Sequence, residues 1–373
     1  MENTPGKIDN RVKHYRKKAG LSQTGLAEKV GIKRQAIYDI ESGRYLPNTG
    51  VALKLARHLG CRVEDLFYET VSTADCPLVM GEDVPPGDGR VSVVIIRDKL
   101  VVYPVDGRFT FPSQMQPADG VFKKKNGQIR FFTPDTCLEQ NILITGCDPA
   151  FSLLSAHASR VDPRLRAFCR FGSTHAAIDR LARGKTHMAG LHLHNQTEEE
   201  ANVALARRKM ARTGGALVMG FSFMEEGLMV ARGNPLKFKT AADLARPGIR
   251  FINREPGAAL RVLLDELLAA SSIPGTAVPG YDILVDGHNQ GAQMIAWGMA
   301  DAALGLHPVA HAFDLDFVPL AEVRCDLVVP ADLMDDPRIQ IILDVLQSRG
   351  FRDELSLLPG YSHSKTGTTI AAF

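Results

Sequence analysis

The sequence lacks the long apolar runs that membrane-spanning proteins carry. Its uncharged apolar stretches, such as residues 214–224, fall short of the roughly 20 residues that a bilayer-spanning helix needs. The first ten residues contain Glu2, Lys7 and Asp9 and no apolar segment of a secretory signal. We therefore expect a protein that stays in the cytoplasm and has no membrane contact.

Cysteine pairs and the common catalytic motifs are also missing. Six cysteines occur without a CxxC pair, which argues against a disulfide framework and a zinc ribbon. No Walker loop, GxSxG elbow or Rossmann glycine triplet is present. His175, His187, His192 and His194 are the best metal candidates, but no carboxylate or cysteine lies at a familiar ligand spacing. We predict no catalytic residues, no bound metal and no cofactor.

Charge is unevenly distributed along the chain. Residues 1–70 carry 13 lysines and arginines against 8 acidic residues, whereas the remainder carries 31 against 34. The first segment is therefore +5 and the rest −3, although the whole chain is only +2. Such asymmetry predicts an anionic partner for the N-terminal segment.

The pattern of apolar residues divides the chain into three parts. Residues 10–68 have apolar residues at helical spacing, and residues 77–140 contain β-branched runs separated by turns such as Asn126-Gly127. From residue 141 strand-like and helix-like segments alternate, which predicts a largely parallel α/β sheet. We predict domains at 1–70, 71–140 and 141–373, the middle one being a β-rich linker or small domain. The alternating segments are 142–145 and 149–159, 167–171 and 174–183, 187–193 and 198–212, 248–252 and 257–270, and 290–299 and 302–306.

Residues 21–44 read LSQTGLAEKVGIKRQAIYDIESGR and contain the parts of a helix–turn–helix in order. Ser22 can cap the first helix, Ala27 is small where two helices approach, and Gly31 suits the tight turn. The second helix is predicted over residues 33–42. Its first turn carries side chains that can reach phosphates and base edges in a major groove. These are Lys33, Arg34, Gln35 and Tyr38.

With Arg44 and Pro47 following it, this motif closely resembles the lambda-repressor-like helix–turn–helix of the Xre family over residues 9–68. One departure is Gly25, where the family has an acidic residue. The resemblance implies binding to a double-stranded DNA operator with two half-sites, and hence a homodimer. The residues assigned to DNA contact are Gln23, Lys33, Arg34, Gln35, Tyr38 and Arg44.

Small and polar residues stand at four predicted strand-to-helix junctions. In parallel α/β sheets, ligands collect at the carboxyl ends of strands, where helix N-termini present free amides. Ser173 and Thr174 add hydroxyl donors, while Asp148 also fits a helix N-cap. The predicted ligand-binding residues are Cys147, Asp148, Gly172, Ser173, Thr174, Asn253, Arg254, Gly257, Gly287 and His288.

The passage from about 141 to 366 resembles the type II periplasmic binding-protein fold, and more narrowly the cytoplasmic molybdate-binding-like domain. The matching pieces are 171–173, 189–193, 227–228, 231–235, 251–261, 300–305 and 316–320. The resemblance implies a two-lobed α/β domain. The predicted fold class is therefore multidomain, with an all-α helix–turn–helix head, a small β-rich middle segment and this two-lobed domain.

The residues at the predicted site are compatible with more than one class of ligand. Ala258 and Leu260 stand where the family shows two hydroxyl residues, and Cys147 stands where many oxyanion binders have a serine. Since a thiol is only a weak donor, the effector is either an oxyanion such as molybdate or tungstate or a different small anion or metabolite.

The sequence thus predicts a one-component transcriptional regulator whose DNA binding responds to a small anionic effector. The alternatives are a regulator that senses a molybdenum-cofactor-related or other small metabolite, and an accessory protein of cofactor assembly. Activation and repression are not distinguished. The middle segment is a candidate dimer surface, a second ligand site or a spacer.

Overall fold

The computed structural model describes residues 7–70, 76–81, 87–105, 117–132, 135–195, 200–285 and 287–373. These residues form two compact units. The first contains the described residues up to Pro77 together with 135–137, and the second contains 78–132 and 138–373. None of the helices in these ranges combines the length and apolar character needed to cross a bilayer.

The first unit is a bundle of short helices with a two-stranded antiparallel sheet. Its core consists of apolar residues that recur at helical spacing, among them Val12, Leu26, Ile37, Leu55 and Leu66. Its elements are β1 (Lys7–Asn10), α1 (Val12–Lys18), α2 (Gln23–Val30), α3 (Arg34–Glu41), α4 (Thr49–Leu59), α5 (Val63–Leu66) and β2 (Phe67–Thr70).

The start and end of α2 confirm the predicted helix–turn–helix. The Ser22 hydroxyl accepts a hydrogen bond from the Gly25 backbone N–H at 2.9 Å, which satisfies one of the free amides of the first turn. Gly31 ends the helix at φ +77°, a left-handed conformation that glycine adopts without steric cost. The next helix, α3, begins one residue after the predicted start, because Lys33 is its N-cap.

The β-rich middle segment forms a five-stranded sheet in the order β3-β5-β4-β6-β7. Its strands are β3 (Leu78–Met80), β4 (Gly89–Ile96), β5 (Lys99–Pro104), β6 (Gly120–Lys123) and β7 (Gln128–Phe131).

This sheet packs on the α/β domain within the second unit. The Tyr103 hydroxyl donates to the Lys185 carbonyl at 2.5 Å, and the Asn141 amide donates to the Val93 carbonyl at 2.7 Å. Val94, Ile96, Val101, Tyr103 and Leu143 form one buried apolar cluster. The β-rich segment is therefore continuous with the core of the α/β domain. The domain limits at 70 and 140 stay a prediction.

The α/β domain is built on a ten-stranded sheet whose main path is β13-β12-β14-β11-β15-β10-β8-β9. Its first half contains β8 (Asn141–Gly146), α6 (Phe151–Val161), β9 (Arg166–Phe171), α7 (Thr174–Ala182), β10 (Met188–His192), α8 (Ala201–Met210) and β11 (Ala216–Val230). Its second half contains β12 (Phe251–Arg254), α9 (Ala259–Ala270), β13 (Leu284–Val285), α10 (His288–Ala296), β14 (Ala302–Leu306), α11 (His307–Ala312), β15 (Asp316–Pro330), α12 (Pro337–Gln347), α13 (Arg349–Ser356), β16 (Tyr361–Ser362) and β17 (Thr369–Ala372). Short 3-10 helices lie at Asp135–Gln140, Ala241–Ala245, Gly275–Ala277 and Ala331–Leu333.

Two lobes flank a pair of long strands. β8, β9 and β10 form the parallel part of the first lobe, and β12, β13 and β14 that of the second. Between them, β11 and β15, each 15 residues long, run antiparallel to one another through both lobes. The alternating pattern predicted β8, β9, β10, β12 and β14, whereas β13 was not among the predicted segments. The pattern also did not predict the antiparallel pair that joins the two lobes. The helix predicted over 198–212 is described only from residue 200, since 196–199 lie outside the described ranges.

Candidate functional site

The start of α3 presents polar side chains to solvent. Ile37 and Ile40 are buried against the rest of the bundle, whereas Arg34, Gln35 and Tyr38 are exposed. Because residues three and four apart share a helix face, these three side chains form one surface with the N-cap residue. That residue, Lys33, is exposed as well.

Four of the six predicted DNA contacts have partners within this unit, among them Gln35, whose amide donates to Asp39 Oδ1 at 3.1 Å. The Arg44 guanidinium lies over the Tyr38 ring, with 5.6 Å from Cζ to the ring centroid. Gln23 is half-buried, and its amide donates to Glu41 Oε2 at 2.8 Å. Gln23 therefore links the start of α2 to the end of α3, and its predicted contact with the DNA backbone stays a prediction.

A cleft lies between the two lobes of the α/β domain, at the carboxyl ends of their parallel strands. Its cavity has a volume of about 20 Å³, which is room for a single water molecule. The first lobe lines it with Cys147, Phe171, Ser173, Thr174, His175, His192 and Leu193. The second lobe lines it with Arg254, Glu255, Gly257, Ala258, Ala259, Leu260 and His288.

Six of the ten predicted ligand residues line this cleft: Cys147, Ser173, Thr174, Arg254, Gly257 and His288. They come from both lobes, as expected where strand ends of two parallel sheets face each other. The structure also brings in residues that were not predicted. Phe171, His192 and Glu255 stand at the ends of β9, β10 and β12, so the same strand-end argument could have included them.

The other four predicted ligand residues do not line the cleft. Asp148 is buried, and its carboxylate accepts hydrogen bonds from the Ala150 N–H, the Ser222 hydroxyl and the Tyr361 hydroxyl. Burial raises the pKa of Asp148, although these hydrogen bonds oppose that effect. The N-cap of α6 is Ala150 rather than Asp148, so the predicted N-cap role of Asp148 is wrong, and its carboxylate instead binds the Ala150 N–H just before the helix.

The backbone near Arg254 is positioned by Asn253. The Asn253 amide donates to the Tyr281 carbonyl at 3.0 Å, and its oxygen accepts from the Arg254 N–H at 2.9 Å. Gly287 is the N-cap of α10, and Gly172 follows β9, where a Cβ would meet the side chains of Arg180 and Thr145.

Arg254 is the central cation of the cleft. Its side chain is only 4% exposed, and its Nε and Nη2 donate to the two carboxylate oxygens of Glu255 at 2.9 and 3.0 Å. Its Nη1 lies 3.2 Å from His288 Nδ1. Burial, followed by the Arg254 charge, holds the pKa of His288 well below its usual value. His288 is therefore neutral and can accept the hydrogen bond from Arg254.

On the facing lobe, His192 joins Cys147 and Thr174. The Cys147 Sγ lies 3.3 Å from His192 Nδ1. The Thr174 hydroxyl accepts from the His192 N–H at 3.1 Å and donates to the His192 carbonyl at 3.2 Å. Burial lowers the pKa of His192 and raises that of Cys147. Both side chains are thus neutral, and the thiol is not an activated nucleophile.

Behind His192 a buried carboxylate, Glu226, lies on β11. Its Oε2 is 2.7 Å from His194 Nε2, while its Oε1 is buried with no hydrogen-bond partner among the described residues. Burial opposes protonation of His194, but the hydrogen bond to Glu226 and the negative charges of Glu226 and Glu266 together outweigh it and raise the His194 pKa. Within the described ranges, no group of three or more histidine, cysteine or acidic side chains could hold a metal ion.

Comparisons with known proteins agree with both parts of the chain. A family model described as "PBP superfamily domain" matches residues 155–347, more than half of the chain, and one described as "Helix-turn-helix" matches residues 12–66. The uncharacterized protein YvgK of Bacillus subtilis (strain 168) is 31% identical over 250 residues, which cover 66% of this chain and 79% of that protein.

The helix–turn–helix has its own relatives. An uncharacterized HTH-type transcriptional regulator of Methanocaldococcus jannaschii is 43% identical over 63 residues, 17% of this chain and 96% of that protein. Among solved structures, Peb3 from Campylobacter jejuni covers 60% of this chain and 99% of its own, at 14% identity and a TM-score of 0.41. The chain therefore belongs to the PBP superfamily and carries its binding-protein-like domain together with a helix–turn–helix of the transcription-regulator type.

Proposed function

We propose that this protein is a one-component transcriptional regulator in which a small anion, bound between the two lobes, controls binding of the helix–turn–helix to its operator. The observation that carries this proposal is the buried guanidinium of Arg254 in the interlobe cleft of a chain that also has a DNA-binding motif. A buried arginine is a specific partner for a carboxylate or an oxyanion. A regulator of this kind works in the compartment that holds the DNA.

The other groups of the cleft also favour an anion. The helices α7, α9 and α10 all begin beside it, and helix N-termini carry a partial positive charge and free amides. Ser173 offers a hydroxyl donor, since its oxygen only accepts from the Ala176 N–H, and Thr174 can offer one if its proton turns from the His192 carbonyl to the ligand. Molybdate and tungstate are candidates on these grounds, whereas Ala258 and Leu260 provide no side-chain donors at the start of α9.

Control by the ligand follows from the lobe arrangement. The cavity of about 20 Å³ has no room for a tetrahedral oxyanion, so binding requires a wider cleft, which separation of the lobes would supply. Bending of β11 and β15 is the natural route for that motion, because both strands run through both lobes. Occupancy then shifts the equilibrium between lobe arrangements, and a homodimer reads two half-sites.

The test uses the full chain, because the sheet of β3–β7 shares a core with the α/β domain. An operator is first enriched from random DNA. Thermal unfolding and operator affinity are then measured with molybdate, tungstate, sulfate, phosphate and small carboxylates. One of these anions should raise the unfolding temperature and change operator affinity over the same concentration range.

Two variants sharpen this experiment. Arg254→Met should abolish both responses, because it removes the cation of the cleft. Arg250→Met is the matched control: Arg250 lies in the same lobe but pairs with Asp301 outside the cleft. Equal responses in the two variants would contradict the assignment of the ligand to this cleft.

A further inference from the structure

Glu255 occupies the side of Arg254 that an anionic ligand would use. Its two carboxylate oxygens receive parallel hydrogen bonds from Nε and Nη2 of Arg254, at 2.9 and 3.0 Å. This is the two-point geometry in which arginine binds a carboxylate or an oxyanion. Glu255 itself lines the cleft. The described structure therefore contains a carboxylate bound at the proposed anion site, and that carboxylate belongs to the chain.

The remaining contacts of Arg254 come from residues that are held in place. Its Nη1 faces His288, and its carbonyl accepts a hydrogen bond from Arg261 Nη1 at 3.2 Å. Its guanidinium also lies 5.9 Å from the centroid of the Phe171 ring on the other lobe. The guanidinium is consequently fixed in orientation, with its Nε/Nη2 edge turned toward Glu255.

Glu255 is held much less firmly than Arg254. Its side chain is 35% exposed, against 4% for Arg254. Within the described ranges, Arg254 is the only hydrogen-bond partner of the Glu255 carboxylate. Glu255 can therefore turn toward solvent and regain hydration, whereas Arg254 cannot leave the cleft. Of the two members of the pair, Glu255 is the one that a ligand can replace.

We infer that Glu255 is an intramolecular competitor for the effector, and that the effector is an anion which presents two neighbouring oxygen atoms to the Nε/Nη2 edge of Arg254. This inference rests on the proposed function and names the ligand chemistry of that site. A second anion cannot share the edge with Glu255, because two carboxylates at that distance repel each other. The effector must displace Glu255, so the ion pair weakens effector binding and selects against anions that offer a single contact.

The experiment measures binding of two probes, acetate and molybdate, to the full chain at constant ionic strength. Acetate offers a planar pair of oxygens and molybdate a tetrahedral one. Glu255→Gln removes the competing charge while keeping the side-chain size. We expect it to bind at least one probe about tenfold more tightly than the unsubstituted chain, which corresponds to about 1.4 kcal/mol. Glu255→Asp, whose shorter side chain reaches Arg254 less well, should give a smaller gain in the same direction.

Asp265→Asn is the matched control. Asp265 is also a partly exposed carboxylate paired with a buried arginine of the same lobe, at 3.1 Å from Arg261, but it does not line the cleft. It should bind both probes as the unsubstituted chain does. A gain with acetate alone identifies a carboxylate effector, and a gain with molybdate alone identifies a tetrahedral oxyanion.

Two results would overturn the inference: no gain for either probe in both Glu255 variants, or an equal gain in Asp265→Asn. Failure of the proposed function looks different. In that case the Glu255 variants would gain affinity for a probe, while operator binding would not respond to the probe at any concentration.

Discussion

The ion pair between Arg16 and Glu41 should determine much of the stability of the helix–turn–helix unit. Arg16 Nε and Nη2 donate to the two oxygens of Glu41 at 2.5 and 3.0 Å, and Gln23 donates to the same carboxylate. The pair therefore joins α1 to the end of α3, and the hydrogen bond from Gln23 connects α2 to the same carboxylate. Burial opposes ionisation of Glu41, but the bonds from Arg16 and Gln23 outweigh it and lower the Glu41 pKa. Glu41→Ala would leave Arg16 buried without its counter-charge.

The size of the effect follows from burial. The side chains of Arg16 and Glu41 are only 10% and 3% exposed, and removing one partner of a buried pair costs about 3–5 kcal/mol. We take the lower end, about 3 kcal/mol. A domain of this size shifts its midpoint by about 4–8 °C for each kcal/mol. The unfolding temperature of this unit should therefore fall by about 12 °C or more.

Thermal unfolding followed by circular dichroism measures the change, with two controls. Glu64→Ala removes a pair whose side chains are 77% and 73% exposed, and it should cost less than about 1 kcal/mol. The double variant Arg16→Met/Glu41→Leu removes both charges and should recover most of the loss, because no unpaired charge is left buried. If Glu41→Ala were as mild as Glu64→Ala, the reasoning would be refuted.

Three further predictions concern DNA, ligand and pH. Arg34→Ala with Gln35→Ala should abolish discrimination between operator and random DNA in a gel-shift titration, since both side chains stand exposed at the start of α3; unchanged discrimination would remove them from the interface. Ser173→Ala with Thr174→Ala should reduce the rise in unfolding temperature that the ligand causes. The rise is measured against the same variant without ligand, because both hydroxyls also make internal hydrogen bonds that affect stability. An unaltered rise would exclude both side chains from the site. Burial lowers the pKa of His187 to about 3, so the unfolded chain binds this proton at a higher pH than the folded one. The contribution of His187 to the free energy of unfolding should therefore fall by up to about 1.4 kcal/mol for each pH unit between about 6.5 and about 3, and His187→Gln should show a shallower decline between pH 7 and pH 5 in urea titrations.

The sequence predicted the helix–turn–helix well because its signals are local. Ser22, Ala27 and Gly31 act within one or two turns of the chain, and the burial of Ile37 against exposed Arg34 follows from helical spacing alone. The alternating strands and helices of the two lobes were predicted for the same reason, and β14 was placed at its observed limits, Ala302–Leu306.

The strand-end argument predicted six of the residues that line the cleft. Strand-end positions such as Cys147, Ser173 and Arg254 meet because the carboxyl ends of parallel strands lie along one edge. Asn253 and Asp148 stand at equivalent positions but turn away from the cleft. Which side of the strand end a residue faces depends on the neighbouring elements, and spacing along the chain does not report it.

Contacts between residues that are distant along the chain could not be predicted from the sequence. Glu226 meets His194, 32 residues away, because β11 and β10 pair with opposite edges of the same strand, β15. The antiparallel pairing of β11 with β15 joins segments about a hundred residues apart, so no local sequence pattern predicts it. Helices, caps and strand ends arise from interactions within a few residues and can be read from the chain. The cleft between the lobes and the two-point pairing of Arg254 with Glu255 depend on packing in the folded chain.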